Sequence, residues 1–216
     1  MKIKWYGQSS FLLTTDEGTR VLIDPYGRLL GYRMPKGIES DIVIVTHNHK
    51  DHNQIQVASG EYMLVNQPRE YKKKEVSIKG IATFHDKAGG KKRGPNIVFV
   101  IKAGDVTVCH CGDLGHLLTE EQVRQIGKVD ILMVPAGGKM VLGGVEAAEV
   151  MRQLQPTIAI PMHYRTKALG LPGKLMFEKV EKFTAAACVK TQEVRELDVT
   201  KDTLSDYAGV LTFLYD

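Results

Sequence analysis

The stretch Ile42-Val43-Ile44-Val45-Thr46-His47-Asn48-His49-Lys50-Asp51-His52 joins a short apolar run to a cluster of metal donors. Four consecutive β-branched residues predict a buried strand. The six positions that close the stretch hold three of the chain's seven histidines and one aspartate. Imidazole and carboxylate are the usual donors to zinc and related divalent ions, whereas a side chain needed only for solubility is more cheaply Lys or Glu. His47 and His49, two apart in an extended or tightly turned segment, can aim at one ion, while Asp51 and His52 fall past the turn and can aim at a second. Four donors at this pitch suit two adjacent metals better than one. An exposed polar loop at a strand end accounts for any one of these histidines, but not for the cluster.

The chain has 216 residues, enough for one large domain with a substantial core. No Ser/Gly/Pro-rich tether and no repeat divides it, so the expectation is a single domain over residues 1–216. The start, Met1-Lys2-Ile3-Lys4-Trp5-Tyr6, alternates like a strand and lacks the apolar segment of a secretory signal. No apolar run approaches the roughly 18 residues of a membrane span. Three cysteines, an odd number, fit a reducing compartment better than a disulfide framework. These features predict a cytoplasmic protein with no membrane partner. A net charge of +4 is compatible with an anionic substrate and does not demand nucleic acid.

Strand-like runs dominate the first half: 3–6, 10–14, 20–23, 41–45, 62–65, 77–84, 96–102 and 106–111. Asp16-Glu17-Gly18 and Ala103-Gly104-Asp105 read as hairpin turns. The run 69–75 is rich in Lys and Glu and reads as a solvated helix face or turn. Thr119 with Gln122 makes a capping-box start to a helix that Gly127 ends. Ala147, Val150, Met151 and Leu154 recur at helical spacing before Pro156, between strands at 131–134 and 157–160. A helix over 177–187 and a strand over 210–215 close the chain. Hairpin strands with a few amphipathic helices imply an α+β fold of sheets covered by helices on their outer faces. The stretch 26–38 is either a lid or a passive connection.

If the cluster holds two metals, further donors belong at downstream strand ends. His85 ends the strand containing Ile81-Ala82-Thr83-Phe84, Asp113 sits in the turn Gly112-Asp113-Leu114-Gly115, and His163 ends the strand before Pro161-Met162. An HxHxDH motif, a lone His, an Asp in a Gly-containing turn and a final His, in that order, resemble the metallo-β-lactamase-fold hydrolases over essentially the whole chain. Within them the chain is most similar to the small stand-alone branch that includes ascorbate-phosphate lactonase-like proteins. Tyr6-Gly7-Gln8-Ser9-Ser10-Phe11, Ile23-Asp24-Pro25, His110-Cys111-Gly112-Asp113, Val134-Pro135-Ala136-Gly137-Gly138 and Pro161-Met162-His163-Tyr164-Arg165-Thr166 carry that likeness. Gln8 stands where many relatives have His, removing a polar contact near the mouth, and Lys139-Met140-Val141 replaces a more polar segment of some relatives.

The resemblance implies an αββα four-layer sandwich, with two mostly antiparallel or mixed sheets flanked by helices. It implies that His47, His49 and His85 hold one metal, that Asp51, His52 and His163 hold the second, and that Asp113 bridges both. Zinc is expected first, with manganese or iron as alternatives. The implied chemistry is hydrolysis by a bridging hydroxide of a small anionic ester, lactone or phosphoester. Asp51 and Asp113 act in it as ligands, Asp51 also orienting the hydroxide. His116, three residues past Asp113, reads as a proton donor to the leaving group, as a donor that orients a ligand, or as a helix-entry residue. Lys87, Lys91, Lys92 and Arg93 form a candidate anion clamp, with a solvated mobile loop as the alternative. Asp24 either caps a turn or holds a ligand histidine. His110 points away from Cys109 and Cys111, which read as small core residues. Tyr164 reads either as an oxyanion donor or as a packed tyrosine.

Other readings are a nuclease or phosphodiesterase acting on nucleic acid, a di-iron redox domain and a non-catalytic metal-binding module. Nucleic-acid processing ranks below the small-molecule reading, because no room remains for an arm that holds RNA. Retention of His49 and the lack of a flavin module lower the redox reading. A degenerate site has no physical reason to keep buried ionisable groups, which lowers the last. Assembly into a homo-oligomer is left open.

Overall fold

The strand Ile42–Ile44 is buried along its whole length because it lies inside a sheet, paired in parallel with Arg20–Ile23 on one side and Met63–Val65 on the other. A computed structural model describes residues 1–215. The full six-stranded sheet runs Glu196–Asp198, Lys2–Trp5, Phe11–Thr14, Arg20–Ile23, Ile42–Ile44, Met63–Val65. Its first members are antiparallel hairpins, the Asp16-Glu17-Gly18 turn joining Phe11–Thr14 to Arg20–Ile23 as expected. Period-two burial follows: Ile3 and Trp5 point inward while Lys2 and Lys4 face solvent.

The second sheet has eight strands in the order Glu70–Lys73, Val76–Phe84, Pro95–Ala103, Val106–His110, Ile131–Pro135, Ile158–Met162, Gly209–Phe213, Thr191–Val194. It too is antiparallel at one end and parallel from Val106–His110 onward. Ile3, Phe11, Ile23, Ile44, Phe99, Val108, Met133, Ile160 and Leu211 form one core between the two sheets. A second cluster lies on the outer face of the eight-stranded sheet. There Val98, Cys109, Cys111, Leu132 and Val134 meet Ala147, Val150, Leu154 and Phe183 of the helices Gly144–Leu154 and Glu181–Ala187. The helix Glu120–Ile126 starts at the Thr119 capping box and stops at Gly127, as the sequence predicts.

The outer face of the six-stranded sheet is covered differently. Tyr26, Tyr32 and Met34 pack on Leu22 and Val43, joined by Val57, Leu169 and Phe177. The stretch 26–38 is therefore a packed connection with its own small hairpin, Arg28–Leu29 against Tyr32–Arg33, and not a lid. The four layers of the αββα sandwich are present, with this segment and short helical turns as the outer layer on that side.

Two local expectations change. Residues 69–75 form no helix, and the turn is confined to Lys74-Glu75: Glu70–Lys73 is an edge strand paired antiparallel with Val76–Phe84, its side chains alternating between half-buried and exposed. Edge strands tolerate charge, which hides their period from a reading based on hydrophobicity. The helix expected over 177–187 is shorter, Glu181–Ala187, and an unforeseen helix Gly170–Met176 precedes it. That helix buries only Gly173, so it has no apolar stripe to read. No helix among the described residues is long and apolar enough to cross a membrane.

Phe99 is fully buried in the core between the sheets. Phe99→Ala lowers the unfolding free energy by about 3–5 kcal/mol, measured by urea titration of the metal-free chain.

Candidate metal centre

The donors gather because the strands that carry them end at one edge of the sandwich. Ile42–Ile44 delivers His47, His49, Asp51 and His52; Val76–Phe84 delivers His85; Val106–His110 delivers Asp113; and Ile158–Met162 delivers His163. Three groups of ligand atoms each fall within 4.8 Å of one another: His47, His49 and His85; His47, His52 and Asp113; Asp51, His52 and His163. Asp113 Oδ2 lies among four imidazoles, 3.1 Å from His85 Nε2, 3.3 Å from His52 Nε2 and His163 Nε2, and 3.8 Å from His47 Nε2. All seven residues expected as ligands are thus brought together.

Their neighbours aim them. Asp24, fully buried, accepts the Thr46 N–H at 2.8 Å, the Thr46 hydroxyl at 2.8 Å and His52 Nδ1–H at 2.9 Å. With its one proton committed to Asp24, the Thr46 hydroxyl accepts from His47 Nδ1 at 3.0 Å. Both rings then carry hydrogen on Nδ1 and turn Nε2 toward Asp113. Of the two roles read for Asp24, the structure shows the bond to a histidine, His52, one of the candidate donors. Asp113 is fixed by its own N–H on Asn96 Oδ1 at 3.0 Å, while Asn96 donates to Thr83 Oγ1 and the Cys111 carbonyl. Gly112 makes the turn, with φ of +55° and no space for a Cβ, which would lie 2.4 Å from Asn96 Oδ1.

Gln8 does the opposite of what its departure from His suggests. It donates from Nε2 to Asp51 Oδ2 at 3.1 Å, and its carbonyl accepts the His163 N–H. Gln8, Asp24 and His163 all hold left-handed backbone, with φ of 52°, 45° and 56°. Each costs on the order of 1 kcal/mol or more, a strain typical of sites whose geometry the surroundings impose. Thr46 and Asn96 went unassigned in the sequence because each works on a neighbour through one hydroxyl or amide. Only the position of Thr46, directly before the first His, offered a signal.

Other candidates resolve plainly. His110 is fully buried, with Nε2–H on the Ser9 carbonyl and Nδ1 accepting the Gly112 N–H, so it braces the Asp113 turn. His116 lies outside the three ligand groups: Nε2 accepts the Phe84 N–H at 3.2 Å and Nδ1–H donates to the Leu117 carbonyl at 2.7 Å. Both ring nitrogens are thus engaged with main chain. Tyr164 stacks on Trp5 at 5.6 Å and is a packed tyrosine. Lys87 pairs with Glu146, so the cationic cluster narrows to Lys91, Lys92 and Arg93. Their loop is not loose, because Asp86 accepts the main-chain N–H groups of Ala88, Gly90, Lys92 and Arg93 at 2.7–3.1 Å.

The donors suit divalent ions on their own chemistry. The fully buried Nε2 of His52 has no hydrogen-bond partner, and His47 Nε2 faces His49 Nδ1 at 3.0 Å, two ring nitrogens converging on one space. A metal satisfies both.

A family profile described as the beta-lactamase superfamily domain matches residues 2–163. The chain belongs to that superfamily. It groups with the metal-dependent hydrolases there. A UPF0173 protein of Pyrococcus abyssi is 32% identical over 79% of this chain and 86% of its own length. A UPF0173 metal-dependent hydrolase of Thermococcus onnurineus is 27% identical over 77% of this chain and 85% of its own. A crystal structure from Thermotoga maritima, proposed to be a Zn-dependent hydrolase of the metallo-β-lactamase superfamily, superposes with a TM-score of 0.80 at 33% identity, covering 98% of this chain and 97% of that one.

The electrostatics of this superfamily member without metal are uneven. Burial lowers His47 to about 3 and also lowers His49 and His110 from 6.5. Burial opposes the charge on His52 as well, but Asp113 and Asp24 outweigh it and raise that ring well above 6.5. Burial likewise opposes the Asp113 carboxylate, yet His163 and His52 hold it well below 3.8.

Two outcomes follow. As pH falls below 6.5, the unfolded chain takes up protons that the folded His47, His49 and His110 refuse, so stability drops. The His52 contribution is complete below 6.5 and is lost as pH rises through its raised value. The metal-free chain therefore melts highest near pH 6.5 and lower on either side, in calorimetry after chelation; metal loading removes the alkaline limb, since an ion replaces the Nε2 proton. Thr46→Val frees the His47 ring and weakens metal binding about 10–100-fold, read by competition with a chelating dye.

Proposed function

We propose that the centre holds two divalent ions, zinc first among them, and that the chain hydrolyses a small anionic ester, lactone or phosphoester. The observation that carries this reading is the position of Asp113 Oδ2 among His47, His52, His85 and His163, between the group His47, His49, His85 and the group Asp51, His52, His163. A single carboxylate oxygen in reach of both groups suits a shared ligand. The hydrolase names of similar proteins support the reaction class.

Ions bound there supply Lewis acidity, lowering the pKa of a water and polarising the bond it attacks. The protein supplies the rest. Asp24 and Thr46 keep the His52 and His47 rings turned with Nε2 inward, so the donors are set before substrate arrives. Asp51, half-buried and tethered by Gln8, is the carboxylate placed to orient the attacking water. Lys91, Lys92 and Arg93 are exposed, make no ion pair among the described residues, and stand on a loop pinned by Asp86 just after His85. Three uncompensated cations on a braced loop favour an anionic substrate.

Elemental analysis of protein purified without chelator gives about two ions per chain, falling in Asp113→Ala together with hydrolysis of a panel of small esters, lactones and phosphodiesters. A single ion and no turnover on any bond class would sink the proposal. Replacing Lys91, Lys92 and Arg93 together by Ala raises KM for an anionic substrate about tenfold while metal content stays unchanged.

A further inference from the structure

Beside the metal centre a cavity of about 580 Å³ opens between the end of the strand Met63–Val65 and the end of Val76–Phe84. His47 and Thr46 line its inner side, so it is continuous with the metal ligands. Its composition is unusual for this chain. One residue in four of the sequence is charged, yet none of the sixteen that line the cavity is Asp, Glu, Lys or Arg. Leu64 and Phe84 flank it, 38% and 41% exposed, two large apolar side chains left open to water at a single place. Neither is buried in the core: Leu64 alternates outward from Val65, and Phe84 lies at the last position of its strand, beyond Val76 and Ile78, which fill the space between the sheets. Pro68 and Pro95 add flat apolar surface. Asn66 and Gln67, on the same rim, have side-chain amides with no hydrogen-bond partner among the described residues.

A concave, uncharged and mostly apolar surface with a few free amides is what a neutral organic group needs for burial; a phosphate or carboxylate loses its hydration there with no cation in return. The cationic loop adjoins it from the other side. Gly90 packs so close to Phe84 that a Cβ there would lie 2.9 Å from the Phe84 ring. The site is therefore polarised, with Lys91, Lys92 and Arg93 beyond Phe84 and neutral surface before it.

We propose that this cavity is a substrate subsite that takes an uncharged, ring-sized apolar group attached to the bond under attack. The inference rests on the hydrolase reading of the metal centre and names the second half of its substrate, an anion carrying a neutral aryl or similar apolar group. Leu64 and Phe84 are its specificity-determining walls, and Asn66 and Gln67 hydrogen-bond a polar substituent on that group.

The test compares binding of phenylphosphonate and methylphosphonate to the metal-loaded protein by calorimetry. Their anionic ends are alike and their carbon–phosphorus bonds resist hydrolysis, so the readout does not depend on turnover. Phenylphosphonate binds about tenfold tighter than methylphosphonate to the unaltered chain. Leu64→Asn abolishes that advantage, leaving methylphosphonate affinity and metal content as they were, and Leu64→Met keeps it. Leu64 is exposed on a strand edge, so these variants fold. Absence of a phenyl advantage in the unaltered chain, including failure to bind either probe, overturns the subsite, as does an advantage that survives in Leu64→Asn. A phenyl advantage lost in Leu64→Asn, in a protein that hydrolyses no ester, lactone or phosphodiester, leaves the subsite standing and removes the hydrolase reading. Hydrolysis without any phenyl advantage does the reverse.

Discussion

The buried Asp24 carboxylate is the point on which the metal centre depends. It accepts three hydrogen bonds from Thr46 and His52 and is fully buried. A buried carboxylate is tolerable only when fully hydrogen-bonded, and these bonds serve both needs at once: they compensate Asp24 and set the two rings. The His52 ring in turn links Asp24 to Asp113, and thereby the six-stranded sheet to the eight-stranded one. The alignment of the donors is thus built into the sandwich, with side chains from both sheets constrained before any ion binds.

Cost and benefit are distributed unevenly around this edge. Gln8, Asp24 and His163 occupy backbone conformations that non-glycine residues avoid; Gln8 and His163 are held there by a contact across the sheets, and Asp24 by its bonds to Ile44, Thr46 and His52 of the neighbouring strand and the loop after it. The His163 N–H on the Gln8 carbonyl is such a contact, reaching from a parallel strand end in one sheet to a hairpin turn in the other. The broad apolar core between the sheets offsets this strain, which is why a cluster of partly uncompensated polar atoms such as His52 Nε2 can persist.

Much of this was legible in the sequence, for identifiable reasons. His47 through His52, His85, Asp113 and His163 announced themselves because each follows a readable strand, and a donor at a strand end has few other uses. The capping box at Thr119 and the turn at Asp16-Glu17-Gly18 were equally plain, being written in adjacent residues. What stayed hidden acts across sequence distance or in a single bond. Nothing in the spacing tells that Gln8 reaches Asp51, that Asn96 holds the Asp113 turn, or that the His116 ring is occupied by the main chain. Asp86 was invisible for a related reason: its four partners are all main-chain groups, which any residue provides.

The strand Glu70–Lys73, disguised by its charges, sits at one margin of the eight-stranded sheet, and Thr191–Val194 at the other. The margins of the six-stranded sheet are the three-residue strands Met63–Val65 and Glu196–Asp198. Every open border of the sandwich is therefore short or studded with Glu, Asp and Lys. Such borders offer poor templates to the backbone of another molecule, so the fold carries its own protection against growing into a continuous intermolecular sheet.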